Sequence, residues 1–380
     1  YYYNPPNYSI LADQTISISD KSKILYASTQ YPAPLEETQY NAGNAGKITL
    51  TALNGDINLV NNSAVSTNIN SGTTNSETAQ IDIVSQKGSI NIDGSTVSST
   101  TKGNANAGNI NLSANNALQM SNNSKVDTNA LGLNDGKLGN SGTIAINAKD
   151  VALYTNSAIS SSSNSLGSAG SITVNATDAI TLANSLINTD ITNGSKNSTP
   201  AKISLNAQTG KIVMNNSSVS SSTSGDADAG DIVVSTPNSL HMNSGSKIST
   251  DSLGIGKLGN SGTITVTAKE LAMNTGSFIS SSTNSLGNAG TVDINTNVLD
   301  IYGDNNIPIT QLGHYIDQNF TGIRSMAGTM SGGQTGYINI LALSNIFLNH
   351  GAQISISNQA NTANTPLLFP AYINTVSYTH

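Results

Sequence analysis

Apolar residues recur along the chain in pairs separated by one polar residue, and most pairs closely follow a glycine. A spacing of two places both apolar side chains on one face of a strand. The first members of successive pairs are 28 to 34 residues apart, except for a final step of 46: Ile48/Leu50, Ile81/Ile83, Ile110/Leu112, Ile144/Ile146, Ile172/Val174, Ile203/Leu205, Ile232/Val234, Ile264/Val266, Val292/Ile294 and Ile338/Ile340. A fixed period of this size is typical of a stacked solenoid.

One repeat, residues 142–170, shows how a coil is built. Ile144 and Ile146 mark a first strand, Val151 and Leu153 a second, and Ile159 a third, with polar turns between them. We therefore predict an all-β parallel β-helix of about ten coils of about thirty residues, each with three short strands. Inward aliphatic side chains should stack from coil to coil, while Asn, Ser, Thr and Gly cover outward positions and corners.

Asparagine recurs at the turns of these coils, where its side chain tolerates a left-handed backbone. If the turns align, the amides can form ladders along the stack. The turn positions are Asn62, Asn123, Asn156, Asn184, Asn216 and Asn243.

A longer period of 120 to 122 residues is superimposed on the short one. The string GKLGNSGTI occurs at 136–144 and again at 256–264, and residues 141–170 match 261–290 at 19 of 30 positions. This indicates that a block of four coils was duplicated, at about 78–170 and 200–290. Scaffolds lengthen in this way more readily than active sites do.

The two ends depart from the repeat. Residues 1–43 and 361–380 are predicted to be caps or linkers on either side of a β-helix at 44–360, with Thr15–Ser19 a possible strand. The ends can cover exposed strand edges, or they can join neighbouring molecules head to tail. The aromatic residues assigned to such assembly are Tyr1, Tyr2, Tyr3, Tyr8, Phe369, Tyr372 and Tyr378.

One coil carries an insertion at 303–320. Either it is simply tolerated, or it is a binding loop, because aromatic and charged residues concentrate there. The candidate binding residues are His314, Tyr315, Asp317, Phe320 and, just after the loop, Arg324.

Composition narrows the classes of function. The net charge is −7 and Arg324 is the single arginine, so no basic face for nucleic acid is expected. Cysteine is absent, which fits a secreted protein without disulfides. The sequence contains no run of 18 apolar residues, so it predicts no membrane-spanning helix. The chain starts at Tyr1, and we expect either a removed leader or a fragment of a longer protein.

Catalytic motifs are missing from the sequence: there is no G-x-S-x-G, no H-E-x-x-H, no P-loop and no cysteine nucleophile. The four histidines lack ligand spacing. We therefore expect no enzyme and no cofactor, and a glycan-processing enzyme is the remote alternative.

The best metal candidate is G-D-A-D-A-G-D at 225–231. Asp226, Asp228 and Asp231 could offer oxygen ligands to Ca²⁺. The duplicated segment at 103–109 reads G-N-A-N-A-G-N and lacks all three carboxylates. A turn is therefore favoured over a calcium site, and no metal is expected.

The coils at about 41–360 carry G-N-A-G or G-N-S-G, then x-I-x-I-x-A, a short L-x-L/M strand and S-x-I-S-S-S. The last full coil reads TGIRS, GGQTGYINI and GAQISIS. This pattern resembles the filamentous-haemagglutinin-like large exoproteins. The resemblance implies a right-handed parallel β-helix, export through a dedicated outer-membrane partner pore (two-partner secretion), and a role as an adhesin or as a stalk carrying a toxic tip.

These observations lead to two hypotheses. The first is a secreted protein of the bacterial cell surface that acts as an adhesin or structural stalk, with a glycan or protein receptor on a host or neighbouring cell. The second is an extracellular filament that polymerises head to tail through its ends.

Overall fold

The computed structural model describes residues 7–26, 46–69, 78–132, 138–196, 198–304, 321–328, 331–360 and 373–377. The chain divides into two compact units, Tyr1–Val174 and Asn175–His380. The described residues form strands and turns. None of them forms a helix, and hence none forms a helix that could cross a membrane.

Unit 1 is a stack of coils with three strands each. In chain order these strands are Tyr8–Ala12 (β1), Ile16–Ile18 (β2), Lys23–Leu25 (β3), Lys47–Ala52 (β4), Ile57–Val60 (β5), Ala64–Ser66 (β6), Gln80–Ser85 (β7), Ile90–Asp93 (β8), Thr96–Ser98 (β9), Asn109–Ala114 (β10), Ala117–Ser121 (β11), Lys125–Asp127 (β12), Ile144–Ala148 (β13), Asp150–Tyr154 (β14) and Ala158–Ser160 (β15). Each strand pairs in parallel with its counterpart in the next coil, as β1 does with β4, β2 with β5 and β3 with β6.

Unit 2 repeats this arrangement, and the boundary between the units falls within Ile172–Ala176 (β16). Its further strands are Ile180–Ala183 (β17), Leu186–Asn188 (β18), Lys202–Ala207 (β19), Ile212–Asn215 (β20), Ser218–Ser220 (β21), Asp231–Ser235 (β22), Ser239–Asn243 (β23), Lys247–Ser249 (β24), Ile264–Asn274 (β25), Phe278–Ser280 (β26), Val292–Tyr302 (β27), Gly322–Ala327 (β28), Ile338–Asn349 (β29), Gln353–Asn358 (β30) and Ile373–Ser377 (β31). In β25, β27 and β29, the first and second strands of a coil are continuous.

The predicted all-β parallel β-helix is confirmed. Ile48, Ile81 and Ile110 lie opposite one another in successive coils and are fully buried. The period of about thirty residues arises because one circuit must return each isoleucine to the position above its predecessor. Each fully buried aliphatic side chain contributes roughly 1.5–3 kcal/mol relative to an exposed one.

Residues 8–25 form a complete coil within the segment assigned to an N-terminal cap or linker. Tyr8 pairs with Ile48, and Ile16 pairs with Ile57. The strand expected at Thr15–Ser19 is present as β2. At the other end, β31 adds to β29, with Ile373 opposite Ile338.

Serine and threonine also face the interior, which differs from the outward positions expected for them. Thr67, Ser99, Thr128 and Ser161 are fully buried. Their hydroxyls are satisfied internally: Thr67 donates to Ser99 Oγ at 2.7 Å, and Ser161 donates to the Gly142 carbonyl at 2.5 Å. The S-x-I-S-S-S motif therefore supplies an inward aliphatic residue followed two positions later by an inward hydroxyl.

The predicted turn asparagines adopt positive φ angles at Asn62, Asn123, Asn156, Asn184 and Asn216. Asn216 Nδ2 donates to Asn184 Oδ1 at 2.8 Å, which confirms an amide ladder at this pair. Asn243, predicted to belong to the same set of turns, instead ends β23 opposite Asn215 and forms a second ladder with Asn215 and Asn274.

Candidate functional site

The predicted binding loop lies mostly outside the described residues. His314, Tyr315, Asp317 and Phe320 all fall there. Arg324, predicted to lie just after the loop, is on β28 and is buried, with only 3% of its surface exposed.

Arg324 is held by residues of the preceding coils. Its Nε donates to Ser280 Oγ at 3.0 Å, and its guanidinium lies 4.8 Å from the centre of the Phe278 ring. It also interacts electrostatically with Asp251, which is buried. Burial raises the pKa of the Asp251 carboxyl, and the charge of Arg324 is the largest opposing effect.

Asp251 belongs to a contact that the stack uses repeatedly. Its Oδ1 accepts from Ser280 Oγ at 2.6 Å and from the Ser282 amide at 2.7 Å. Asn129, 122 residues earlier, accepts from Ser160 Oγ and the Ser162 amide at 2.8 Å each. The neutral amide and the carboxylate thus occupy equivalent places, and Arg324 offsets the additional charge of Asp251.

The calcium candidate residues are hydrogen-bonded to the following coil. One oxygen each of Asp226, Asp228 and Asp231 accepts from the amides of the residues opposite: Leu258 at 3.1 Å, Asn260 at 2.8 Å and Thr263 at 2.8 Å. In the duplicated block, Asn104, Asn106 and Asn109 accept in the same way from Leu138, Asn140 and Thr143. In both blocks, therefore, the side-chain oxygens of the turn accept hydrogen bonds from backbone amides of the next coil. Among described residues, no three His, Cys, Asp or Glu side chains are grouped to hold a metal ion.

The residues assigned to assembly lie at the ends. Tyr1, Tyr2, Tyr3, Phe369, Tyr372 and Tyr378 fall outside the described residues. Tyr8 is half exposed on β1, and its ring centre lies 6.1 Å from that of Tyr26. Part of the Tyr8 side chain is therefore accessible to a neighbouring molecule at the first described coil.

Unit 2 contains a groove that the sequence did not predict. It has a volume of about 750 Å³ and crosses the turns between the first and second strands of six successive coils. Its lining comes from Asp178 and Ala179, from Thr209 to Lys211, from Asn238 and Ser239, from Lys269 and Glu270, from Asn297 and Val298, and from Ser344.

Turn length explains why the surface is concave here. Only Lys269 and Glu270 separate the buried residues Ala268 and Leu271, and the next coil also has a two-residue turn, at 297–298. By contrast, four residues separate the buried Ala207 from Ile212. Short turns form the floor and longer ones the rim. Comparing the number of residues between inward positions would have revealed this from sequence.

The floor of the groove is held by hydrogen bonds between coils. The amide of Lys269 donates to the Asn238 carbonyl at 2.7 Å, and Asn238 Nδ2 donates to the Thr209 carbonyl at 2.6 Å. Lys269 and Glu270 are exposed. Glu270 Oε1 also lies 3.9 Å from His241 Nε2. The groove therefore presents charged and polar side chains on a hydrogen-bonded base.

The geometry defines a protein of the parallel β-solenoid class. Comparison with protein-family models, curated proteins and solved structures finds no match to the chain. The likeness to filamentous-haemagglutinin-like exoproteins therefore stays a prediction from its motifs.

Proposed function

We propose that this chain is part of a secreted bacterial cell-surface exoprotein, exported through an outer-membrane pore, that acts as an adhesin or structural stalk. One observation carries the proposal. The duplicated coils preserve their coil-to-coil contacts even where the residues differ.

The pair Asn106 and Asp228 illustrates this conservation of contacts. Each oxygen accepts from both the amide and the side-chain nitrogen of an asparagine in the next coil, Asn140 or Asn260, at 2.8 to 3.0 Å. A scaffold gains length from such a duplication without needing new chemistry, because each coil contacts only its neighbours. Lengthening is useful to a protein that extends from a surface.

Adhesion can be tested with beads coated with the purified chain and applied to cultured cells. We expect the coated beads to be retained, and deletion of 303–320 to reduce retention while circular dichroism and the melting temperature stay unchanged. Retention equal to that of albumin-coated beads would refute the adhesin. Product release from an acidic polysaccharide would instead support a glycan-processing enzyme.

A second candidate function, a head-to-tail filament, is favoured by the first coil. Ile10 occupies an inward position opposite Leu50, yet it is 41% exposed whereas Leu50 is fully buried. Leu11 beside it is 66% exposed. Within the described ranges no strand pairs with the outer edge of β1, and open parallel edges invite association.

Electron microscopy and sedimentation at rising protein concentration would test this candidate. We expect filaments that shorten or disappear with Leu11→Lys, because a charge at the edge opposes stacking. Leu286→Lys is the control, since Leu286 is 48% exposed but lies away from the ends of the stack. Monodisperse particles at every concentration would rule out the filament.

A further inference from the structure

We propose that the groove of unit 2 binds a linear, uncharged oligosaccharide lying along the stacking direction. This inference rests on the adhesin function proposed above and names its ligand class. It concerns a different region from the 303–320 loop.

The extent of the groove selects an extended ligand. Its lining residues come from six successive coils, which amounts to five steps of about 4.8 Å, or about 24 Å. A small metabolite would contact only two or three of these coils. A chain of several sugar units would contact all of them.

The chemistry of the lining favours hydroxyl groups as partners. Lys211 and Lys269 supply donors, and Asp178 and Glu270 supply acceptors, so the formal charges of these four residues cancel. Asn238 and Asn297 add amides that can both donate and accept. A mixture of donors and acceptors with no net charge suits the vicinal hydroxyls of a neutral sugar.

Other polymers match the groove less well. Nucleic acid and acidic polysaccharides need a surplus of cations, whereas each lysine here is balanced by a carboxylate. An extended peptide gains affinity by pairing with a free strand edge. Beneath the floor, β25 pairs with β23 and β27, so its edges are occupied.

The duplicated block provides a matched control. Lys149 and Asp150 form the same two-residue turn as Lys269 and Glu270, 120 residues earlier. The Lys149 amide donates to the Asn116 carbonyl at 2.7 Å, as that of Lys269 does to Asn238. Lys149 lies in unit 1 and does not line the groove.

The test is calorimetric titration of the full chain with cellohexaose, maltohexaose, mannohexaose and chitohexaose, and with the hexamers of galacturonate and glucosamine as charged comparisons. We expect at least one neutral hexamer to bind. The double variant Lys269→Ala/Glu270→Ala should weaken that binding about tenfold or more, since charge-assisted hydrogen bonds are lost. Lys149→Ala/Asp150→Ala should bind as the unaltered chain does.

Three results would overturn the inference: no neutral hexamer binds, only a charged hexamer binds, or both double variants lose affinity equally. Bead retention measured on the same variants separates this failure from that of the adhesin. If beads carrying the groove variant are retained normally and no hexamer binds, the adhesin stands and the glycan groove does not.

Discussion

At the scale of single residues, the stack depends on buried polar side chains whose partners lie one coil away. Asp251 and Arg324 are the costliest of these because both are charged and buried. Asn129 makes the same contacts as Asp251 without charge. The contact between coils therefore needs the oxygen acceptor of Asp251, whereas its negative charge requires compensation by Arg324.

Replacing Arg324 should show how far the stability of the chain depends on this charge compensation. Arg324→Met removes the largest compensation of the buried Asp251 carboxylate, and we expect it to lower the free energy of unfolding at pH 7 by about 3–5 kcal/mol. In the double variant Arg324→Met/Asp251→Asn, much of that loss should be recovered, as measured by urea unfolding. If Arg324→Met costs the same in both backgrounds, its contact with the Phe278 ring accounts for the effect instead.

The pH dependence of Asp251→Asn has a definite sign. Burial raises the pKa of Asp251 in the folded chain, so folding favours the protonated carboxyl. The unaltered chain should therefore lose stability as pH rises from below about 3.9, the ordinary aspartate pKa, through the raised value. The asparagine variant lacks this loss, so the difference in free energy of unfolding between the two proteins should shift in favour of the variant over that range, as measured by urea unfolding. Other titrating groups, including Asp127 and Asp82, are common to both proteins.

At the scale of elements, glycine precedes most of the first strands because neighbouring coils approach closely there, whereas β7 and β19 are preceded by Ala79 and Ala201. A side chain at Gly262 would place its Cβ 2.1 Å from the carbonyl oxygen of Gly230. That contact is too short for any Cβ atom. The Gly262 carbonyl also accepts from Ser281 Oγ at 2.6 Å, so neither coil can move away cheaply.

Gly262→Ala should consequently destabilise the chain by about 3 kcal/mol, at the upper end of ordinary overpacking costs. Gly245→Asn is the matched change, because Gly245 has a φ of 77° and open space around it. Asparagine tolerates that conformation, so a cost of about 0.5 kcal/mol is expected. Thermal unfolding followed by circular dichroism measures both, and equal costs would contradict the close approach.

The two faces of one strand give a further prediction. Ile172 is fully buried on β16, and the neighbouring Thr173 is partly exposed. Ile172→Asp buries a charge and should cost more than about 4 kcal/mol, whereas Thr173→Asp should stay within about 0.5 kcal/mol. Similar losses for the two variants in urea unfolding would contradict the assigned face.

Strands and their inward aliphatic residues were predictable because a spacing of two is a local signal. Ser161 shows what was missed: it follows the inward Ile159 by two positions and so faces inward, although its hydroxyl suggested an outer surface. The burial of Arg324 could not be predicted, because it depends on Phe278 and Asp251 in earlier coils. The groove was missed because it arises from differences between successive turns, which no single coil reveals.

At the scale of the whole molecule, each of the two units is built of coils stacked on their neighbours, and the stability of such a stack should be a sum over coils and the contacts between neighbouring coils. Strands 122 residues apart in the duplicated blocks should then be interchangeable. Ala79 and Ala201 are both buried, and β7 and β19 offer inward residues at the same positions, Ile81 and Ile203. Either strand should therefore fit against β4.

Deleting 79–200 removes 122 residues and joins Thr78 to Ala201, so that β19 follows β6 in place of β7. We expect a shortened chain that unfolds cooperatively and keeps the circular dichroism of the original per residue, because inward residues again meet inward residues. Deleting 79–185 is the control, since it joins Thr78 to Leu186 and brings a third strand where a first strand is needed. That protein should aggregate. If both deletions aggregate in sedimentation experiments, contacts beyond neighbouring coils hold the fold together, and a stalk that lengthens by duplication loses its physical basis.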